Sequence, residues 1–458
     1  MRNATHVVLV VCALAQVSAR AADVQQWDAF ETSYDSKKTY SNPLIDVEVN
    51  VVFCSGGKQW VAPAFWAGGG KWTVRFAPPV QGEYTFHVES SDPANADLNG
   101  HEQALRVTAY TGHNPLFKYG FLRVSANKRH FEYADRRIKH LVDAGIVPVI
   151  VGGWGRPQHG GKSTIAQVGL DGYKRHWRYL VARYGAHPVV WIVGGEARDS
   201  QGPWAQVAKY LKATDRYRHL LVYHAPGHPR QVIKDNAVFD FDMVAIGHRG
   251  YETAAASLEL MKSCLSQKPA KPVLCGEACY EGHMQTNFQN VQRHLFWSFM
   301  LSGAAGHTHG AAGIWHASVE GDTGIDPVYD WTTWKEGMNY PGSTQFGLGK
   351  KLLERYLWWH FETHPEWTEK ECFAAGIPGE VRIIYLPRNN IYDWSGPAVK
   401  NLDPSVDWRV YHFDPATGRT FEQGTIKASA KAGDKTAAPL ISKRTFLPRR
   451  IGSWSSSG

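Results

Sequence analysis

Two glutamates close short apolar runs in this chain: Glu196 ends PVVWIVGGE and Glu277 ends KPVLCGE. Buried parallel strands read as continuous β-branched and aromatic runs. A carboxylate directly after such a run therefore sits at a strand's C-terminal end, where α/β barrels carry their chemistry. Two carboxylates facing one cleft suit glycosidic bond cleavage, in which a protonated acid serves the leaving oxygen and an ionised group faces the anomeric carbon. Neither role requires a metal, and no cofactor is expected. A single strand-end glutamate can equally be a helix N-cap or a salt-bridge partner. The repetition favours a catalytic pair, because both glutamates follow Gly and stand 81 positions apart, room for three strand–helix units between them.

Other side chains fall at similar places. Trp154, in GGWGRP at the end of an earlier run, offers an indole to the apolar face of a sugar, or to the core. His224 in VYHAPGH and His248 in IGHRGY follow two further runs and share that rim. There they can hydrogen-bond sugar hydroxyls or the nucleophile, although a lone histidine is more often structural. Tyr280, three residues after Glu277, can donate a hydrogen bond that keeps the nucleophile ionised, or can be an ordinary loop aromatic. Arg198 either recognises an acidic sugar or balances Asp199. Cys275, Cys279 and His283 in CGEACYEGH can be drawn as metal ligands, but their spacing fits no standard zinc pattern and Cys275 lies inside the apolar run. His307 and His309 lack carboxylate ligands in register, so they read as substrate contacts and no metal is expected.

The elements that must position these residues fall into three blocks. From Ile45, IDVEVNVVF alternates; KWTVRF and EYTFHV then place Trp72, Val74 and Phe76, and Tyr84, Phe86 and Val88, on single faces, the signature of an antiparallel β-sandwich over residues 23–111. From residue 112 to 363, apolar runs alternate with helix-period segments such as Trp177, Leu180, Val181 and Tyr184. The runs are VPVIVGGW, PVVWIVGGE, LLVYHAP, FDMVAIGH, PVLCGE and AAGHTHG. Strand then helix, repeated, predicts an α/β fold with a TIM-like (β/α) barrel, yet a closed barrel needs about eight strands and only six are legible. Residues 364–427 return to short strands, EVRIIYLP and DWRVYHF, a second β-sandwich domain. The Lys-, Ala- and Ser-rich tail over 428–458 reads as poorly ordered.

A chain of 458 residues exceeds one ordinary domain, and 43% apolar content supplies a core. The 18 Trp, 20 Tyr and 19 Phe suit either sugar-stacking platforms or large cores. Arg2, the apolar stretch Val7 to Val17 and Ala19-Arg20-Ala21 read as a signal peptide over residues 1–22, so the mature protein is expected outside the cytoplasm, extracellular or periplasmic. No later segment reaches the roughly 18 apolar residues of a membrane span. The net charge of +8 is spread along the chain without a nucleic-acid motif, leaving acidic polysaccharide or a merely basic surface as its meaning. Five cysteines remain after the leader, too widely spaced for a disulfide scaffold.

Three stretches, RYLVARYGAHPVVWIVGGE, KPVLCGEACYEG and FWSFMLSGAAGHTHGAAGIW, together resemble the apiosidase-like glycoside hydrolases, secreted (β/α)8 enzymes related to the large retaining-glycosidase clan. The N-terminal block resembles the β domain that often precedes that barrel. Phe373 to Thr420 is similar to the small β domain, described as collagen-binding, that commonly follows it. The resemblance implies that Glu196 is the acid/base after strand four and Glu277 the nucleophile after strand seven, with His307, His309 and Trp315 near the site. It also implies a plant or other cell-wall polysaccharide as substrate. One departure stands out: where the family continues after HFEYAD into a Pro-Phe-Phe strand, Asp135 here runs into RRIKHLVDAGIVPVIVGGWG. The first two β/α units appear absent, so either the barrel is rebuilt from fewer strands or the sequence is a splice or gene-model product.

These residues point to a retaining O-glycosyl hydrolase acting on an oligo- or polysaccharide, with no nucleic-acid or membrane partner. Two rivals stay open: a catalytically impaired carbohydrate-binding protein derived from such an enzyme, and a metal-dependent hydrolase using the His and Cys cluster.

Overall fold

The computed structural model describes residues 22–112, 128–155, 162–315, 317–321, 332–368, 372–387 and 399–427. The tail read over 428–458 lies outside them, as does the leader but for Ala22. The chain divides into two compact units. The first runs to Tyr223 and takes back Ile233–Asp240; the second comprises His224–Val232 and the chain from Phe241 onward.

The first unit opens with eight strands: β1 (Ala22–Gln25), β2 (Phe30–Asp35), β3 (Val49–Ser55), β4 (Lys58–Pro63), β5 (Phe65–Gly68), β6 (Lys71–Phe76), β7 (Gly82–Ser90) and β8 (Gly100–Thr108). They form a sheet in the order β1-β8-β7-β3-β4 and a second in the order β2-β6-β5. The alternation in the sequence sets which side chains turn inward: in β7, Tyr84, Phe86 and Val88 are buried while Glu83 and Thr85 are exposed. Inward residues of both sheets share one core, where Phe53 stacks on Phe76 with ring centroids 3.9 Å apart and on Phe86 at 5.0 Å.

The same unit carries three parallel strands, β9 (Val149–Val151), β10 (Val190–Ile192) and β11 (Leu220–Val222), in the order β11-β10-β9. The helices Thr164–Tyr184 and Trp204–Thr214 lie between them in the chain. Trp177 of the first helix meets Trp191 of β10 edge-on at 5.6 Å, and Tyr173 donates its hydroxyl to the Val193 carbonyl at 2.6 Å. Among the described residues β9 is the sheet edge. Ile150 is buried, but Val149 and Val151 are 50% and 38% exposed, next to exposed Ile146 and Val147. Asp135 stands in the helix Lys128–Asp143 and accepts from Arg75 Nη2 at 2.8 Å, Arg183 Nη2 at 3.2 Å and the Tyr184 hydroxyl at 3.3 Å.

The second unit holds β12 (Ala225–Pro226), β13 (Asp242–Ala245), β14 (Val273–Glu277) and β15 (Gly306–His307), all parallel and in sequential order. The helices Tyr251–Leu265, Gln289–Met300 and Pro341–Leu353 accompany them. Their core gathers Val244, Leu258, Met261, Val273, Cys275, Leu295 and Phe299. After them come an antiparallel sheet of β16 (Glu362–Thr363), β17 (Phe373–Ile377) and β18 (Val381–Tyr385), then the pair β19 (Trp408–Phe413) and β20 (Thr420–Ile426). Phe373, Tyr385, Tyr411 and Phe413 pack on a cluster built around Phe296, Trp297 and Leu352.

Each of the six apolar runs thus contains a strand. Among the described residues the parallel strands form two separate sheets of three and four, and no closed barrel is present. The run LLVYHAP is divided, Leu220–Val222 pairing in one unit and Ala225–Pro226 in the other. No described helix is long and apolar enough to cross a membrane.

A buried charge cluster fixes β10 against its flanking turn. Asp215 accepts from Trp191 Nε1 at 3.0 Å, from His219 Nδ1 at 2.7 Å and from the His219 amide at 2.9 Å. Burial pushes its carboxyl up, but the charge and hydrogen bonds of His219 with the Trp191 bond outweigh it and hold Asp215 below the ordinary range. Its contribution to stability is therefore fully present above the unfolded-state value of about 3.9 and is lost as pH falls through the lower folded value. Replacing Asp215 by Ala strands three buried donors, and we expect urea denaturation to show a loss of roughly 3–5 kcal/mol at neutral pH, shrinking as the pH is lowered. A loss under 1 kcal/mol at neutral pH contradicts this account.

Candidate active site

The strand end at β14 holds the densest set of polar contacts in the second unit. Val244 pairs with Cys275 and Ala245 with Glu277, so the register slips past Gly276, where any Cβ would overlap the Met243 side chain. Glu277 closes the strand with its side chain 22% exposed. His224 Nε2 donates to its Oε2 at 2.5 Å, and His248 Nε2 donates to its Oε1 at 2.9 Å. The His248 tautomer follows from its other nitrogen: the Tyr280 amide donates to Nδ1 at 3.3 Å, so the ring proton sits on Nε2 and faces Glu277. Burial alone pushes the Glu277 carboxyl up, but the bonds from His224 and His248 prevail and hold it well below the usual carboxylate range. Burial, then the Glu277 charge, push the Tyr280 phenol far up, so it keeps its proton.

Aromatic rings extend this cluster. The His248 ring lies 4.7 Å from Tyr280 and 4.5 Å from His283, and Trp315 lies 5.9 Å from His283 and 6.5 Å from Tyr280. Tyr280 fits because residue 310 is Gly; a Cβ there would overlap its ring. Asn287, fully buried, clamps two of the loops: Nδ2 donates to the carbonyls of His248 at 2.7 Å and His283 at 2.8 Å, and Oδ1 accepts from the Gly250 amide at 2.8 Å. The sequence reading missed Asn287, since an asparagine in a loop carries no signal of the loops it joins.

His307 and His309 part ways. The His307 ring is buried among Phe296, Phe299 and Phe346, with centroids at 6.2, 5.5 and 5.2 Å, and Nδ1 donates to the Thr308 carbonyl at 2.8 Å. Burial pulls its pKa down to about 4, so it is neutral. His309 Nε2 donates to Glu281 Oε2 at 3.1 Å, a buried carboxylate that sequence reasoning also passed over. The Cys275, Cys279 and His283 set does not assemble as ligands. Cys275 is buried in β14, the Cys279 thiol is directed at the carbonyls of Gly247 and Gly250, and burial pushes its pKa up to about 11. Among the described residues, no three His, Cys, Asp or Glu side chains form a group able to hold a metal ion.

In the first unit, Glu196 and Trp154 are neighbours. Trp154 forms an isolated parallel bridge with Gly195, and its indole lies where a Cβ on Gly195 would be. A Cβ on Gly194 would in turn come within 2.6 Å of the Trp204 ring. The Gly-Gly pair preceding Glu196 thus lets the chain pass between two indoles. Glu196 itself takes the left-handed conformation, φ 48°, which costs a non-glycine residue about 1–3 kcal/mol and is concentrated at functional sites. Trp154 is 49% exposed, leaving part of its indole open to solvent beside Glu196. The Arg198 carbonyl accepts from Trp204 Nε1 at 2.9 Å.

Comparison with known proteins places this geometry. The model of the Apiosidase-like catalytic domain matches residues 94–360, and that of a domain of unknown function (DUF5060) matches residues 23–91. Among solved structures, the chain is similar to a glycoside hydrolase at 20% identity and TM-score 0.54, covering 65% of this chain and 71% of that one. It is also similar to a glycoside hydrolase family 5 structure from Bacteroides vulgatus at 19% identity and TM-score 0.55, covering 65% and 69%. A further Bacteroides vulgatus structure, described as a candidate glycoside hydrolase, is similar over 88% of this chain and 92% of its own, at 15% identity and TM-score 0.57. These three likenesses show a shared fold. No curated protein matches the chain. With the catalytic-domain model matched over more than half of its length, the chain belongs to the Apiosidase-like family and is a glycoside hydrolase.

Proposed function

We propose that this enzyme is a retaining O-glycosyl hydrolase in which Glu277 is the nucleophile and Glu196 the acid/base. The observation that carries the reading is the Glu277 carboxylate, partly buried at a strand end yet held ionised by His224 and His248. In the first step a Glu277 oxygen attacks the anomeric carbon as the glycosidic C–O bond breaks, and the leaving oxygen takes the Glu196 proton. In the second, Glu196 takes a proton from water, whose oxygen displaces Glu277 from the glycosyl ester.

Trp154, His224, His248, Tyr280, His309 and Trp315 are proposed to contact sugar or to hold the groups that do, with His307 supporting them from the aromatic core. The substrate class is a complex polysaccharide of plant or other cell walls. The proposed architecture is a TIM-like barrel over 112–363 flanked by β-sandwich domains over 23–111 and 364–427, in a protein secreted by its leader. These finer points rest on the sequence reading and on the family.

One observation favours a second reading. Among the described residues β9 has no neighbour on one side, and its Val149 and Val151 are exposed, which suits a catalytically impaired carbohydrate-binding protein.

Glu277→Gln keeps the shape of the side chain and cannot form the glycosyl ester, so it should abolish hydrolysis of aryl glycosides while sugar binding persists by calorimetry. Retained turnover moves the nucleophile elsewhere, and sugar binding without turnover by the unaltered chain selects the second reading. The pH profile is a separate check. Glu277 must be ionised to attack, so the acidic limb of kcat/KM should lie below the free glutamate value of about 4.3. His248→Phe removes a donor to the charged form, raises the Glu277 pKa and should move that limb to higher pH; an unmoved limb contradicts the assignment.

A further inference from the structure

We propose that Glu281 is a positioning residue for the reaction, holding Tyr280 where its amide orients His248 on Glu277. The proposal rests on the reading of Glu277 as the nucleophile. Glu281 follows Tyr280 directly in the loop after β14, and its side chain is only 2% exposed. Burying a carboxylate costs several kcal/mol unless partners compensate, so its surroundings have to be built for it. Three elements meet there. Its backbone bridges to the loop after β15, the Glu281 amide donating to the Gly310 carbonyl at 2.8 Å and the Ala312 amide donating to the Glu281 carbonyl at 2.8 Å. Its Oε2 accepts from His309 of that loop at 3.1 Å and from the Gly342 amide at 2.8 Å, in the first turn of the helix Pro341–Leu353. That amide is one that a helix start leaves without an intrahelical partner.

The bridge fixes the Tyr280 ring against His248. Gly310, whose carbonyl accepts from the Glu281 amide, is also the residue against which the Tyr280 ring lies, with no room for a Cβ between them. On its other side Tyr280 meets His248 at 4.7 Å and gives His248 Nδ1 its amide bond. Loosening Glu281 therefore releases Gly310, and with it the Tyr280 ring and the amide that sets the His248 tautomer. Gly342 is part of the same device, because a Cβ there would overlap Glu281 Oε2 and crowd His309.

A cycle of full-length variants tests this: Glu281→Gln, His248→Phe and the double variant, each assayed for kcat and KM on an aryl glycoside and for thermal unfolding. Glu281→Gln should lower kcat roughly tenfold with KM little changed, and the double variant should match His248→Phe alone, because Glu281 acts through that imidazole. An unchanged kcat, or losses that multiply in the double variant, overturns the proposal and leaves Glu281 a helix cap. If Glu281→Gln does not fold, Gly342→Ala displaces the same carboxylate and must show the same non-additivity with His248→Phe. Turnover retained by Glu277→Gln instead overturns the nucleophile assignment itself, whereas an inactive Glu277→Gln with a multiplicative cycle removes only the role of Glu281.

Discussion

A carboxylate kept charged while largely withdrawn from water is the constraint on which the second unit depends. Removing an ion from water costs several kcal/mol, and only short, charge-assisted hydrogen bonds of good geometry offset it. Glu277 has two from imidazoles that reach it from segments far away in sequence, His224 and His248. Each imidazole must then be aimed. The Tyr280 amide aims His248 by occupying Nδ1, and Asn287 holds the backbone of His248 and of His283 at once. The parallel strands bring these loops to one end of the sheet, and the hydrogen bonds between loops convert that rough proximity into a defined donor set.

Glycine carries out a second kind of positioning. At both glutamates the preceding residue is Gly, and in both cases a side chain occupies the volume a Cβ would need: Trp154 at Gly195 and Met243 at Gly276. The glycines are thus spatial requirements of the packing around each strand end. They allow a large side chain to lie flat on the backbone next to the carboxylate, which limits the positions that segment can take.

Much of this was legible in the sequence, for definite reasons. Strand runs such as PVLCGE announce themselves because burial on both faces demands continuous apolar residues, and EYTFHV announces a one-sided strand by its alternation. Glu277, His224 and His248 were found because each directly follows such a run. What was not legible depends on contacts between loops. Nothing local in YEGH distinguishes Glu281 from a solvated acid, since its partners, His309 and Gly342, lie 28 and 61 residues away. His307 and His309 look alike in AAGHTHG, yet one ring enters a phenylalanine core and the other reaches a carboxylate past Phe346, because the strand ends at His307 and His309 stands in the loop beyond it. The division of LLVYHAP between two sheets was equally hidden, for the run reads as one strand.

The junction at Asp135 shows how a local ion cluster and a global topology can disagree. Asp135 is well provided for: two guanidiniums and a phenol converge on it, and Arg75 and Arg183 both lie over the Phe65 ring, at 5.1 and 4.4 Å. The helix Lys128–Asp143 is thus tied to β6 through Arg75 and to the helix Thr164–Tyr184 through Arg183 and Tyr184. The strand that follows has no such provision. Val149 and Val151 point away from the buried side of β9 and remain substantially exposed, each forgoing on the order of 1 kcal/mol that coverage by a further strand contributes. A bare apolar strand edge is ordinarily blunted by charge, proline or a bulge, and the Val-Ile-Val of β9 carries none of these. Among the described residues, then, the contacts of Asp135 are complete at the seam, while β9, the next strand along the chain, keeps an apolar face partly open to solvent.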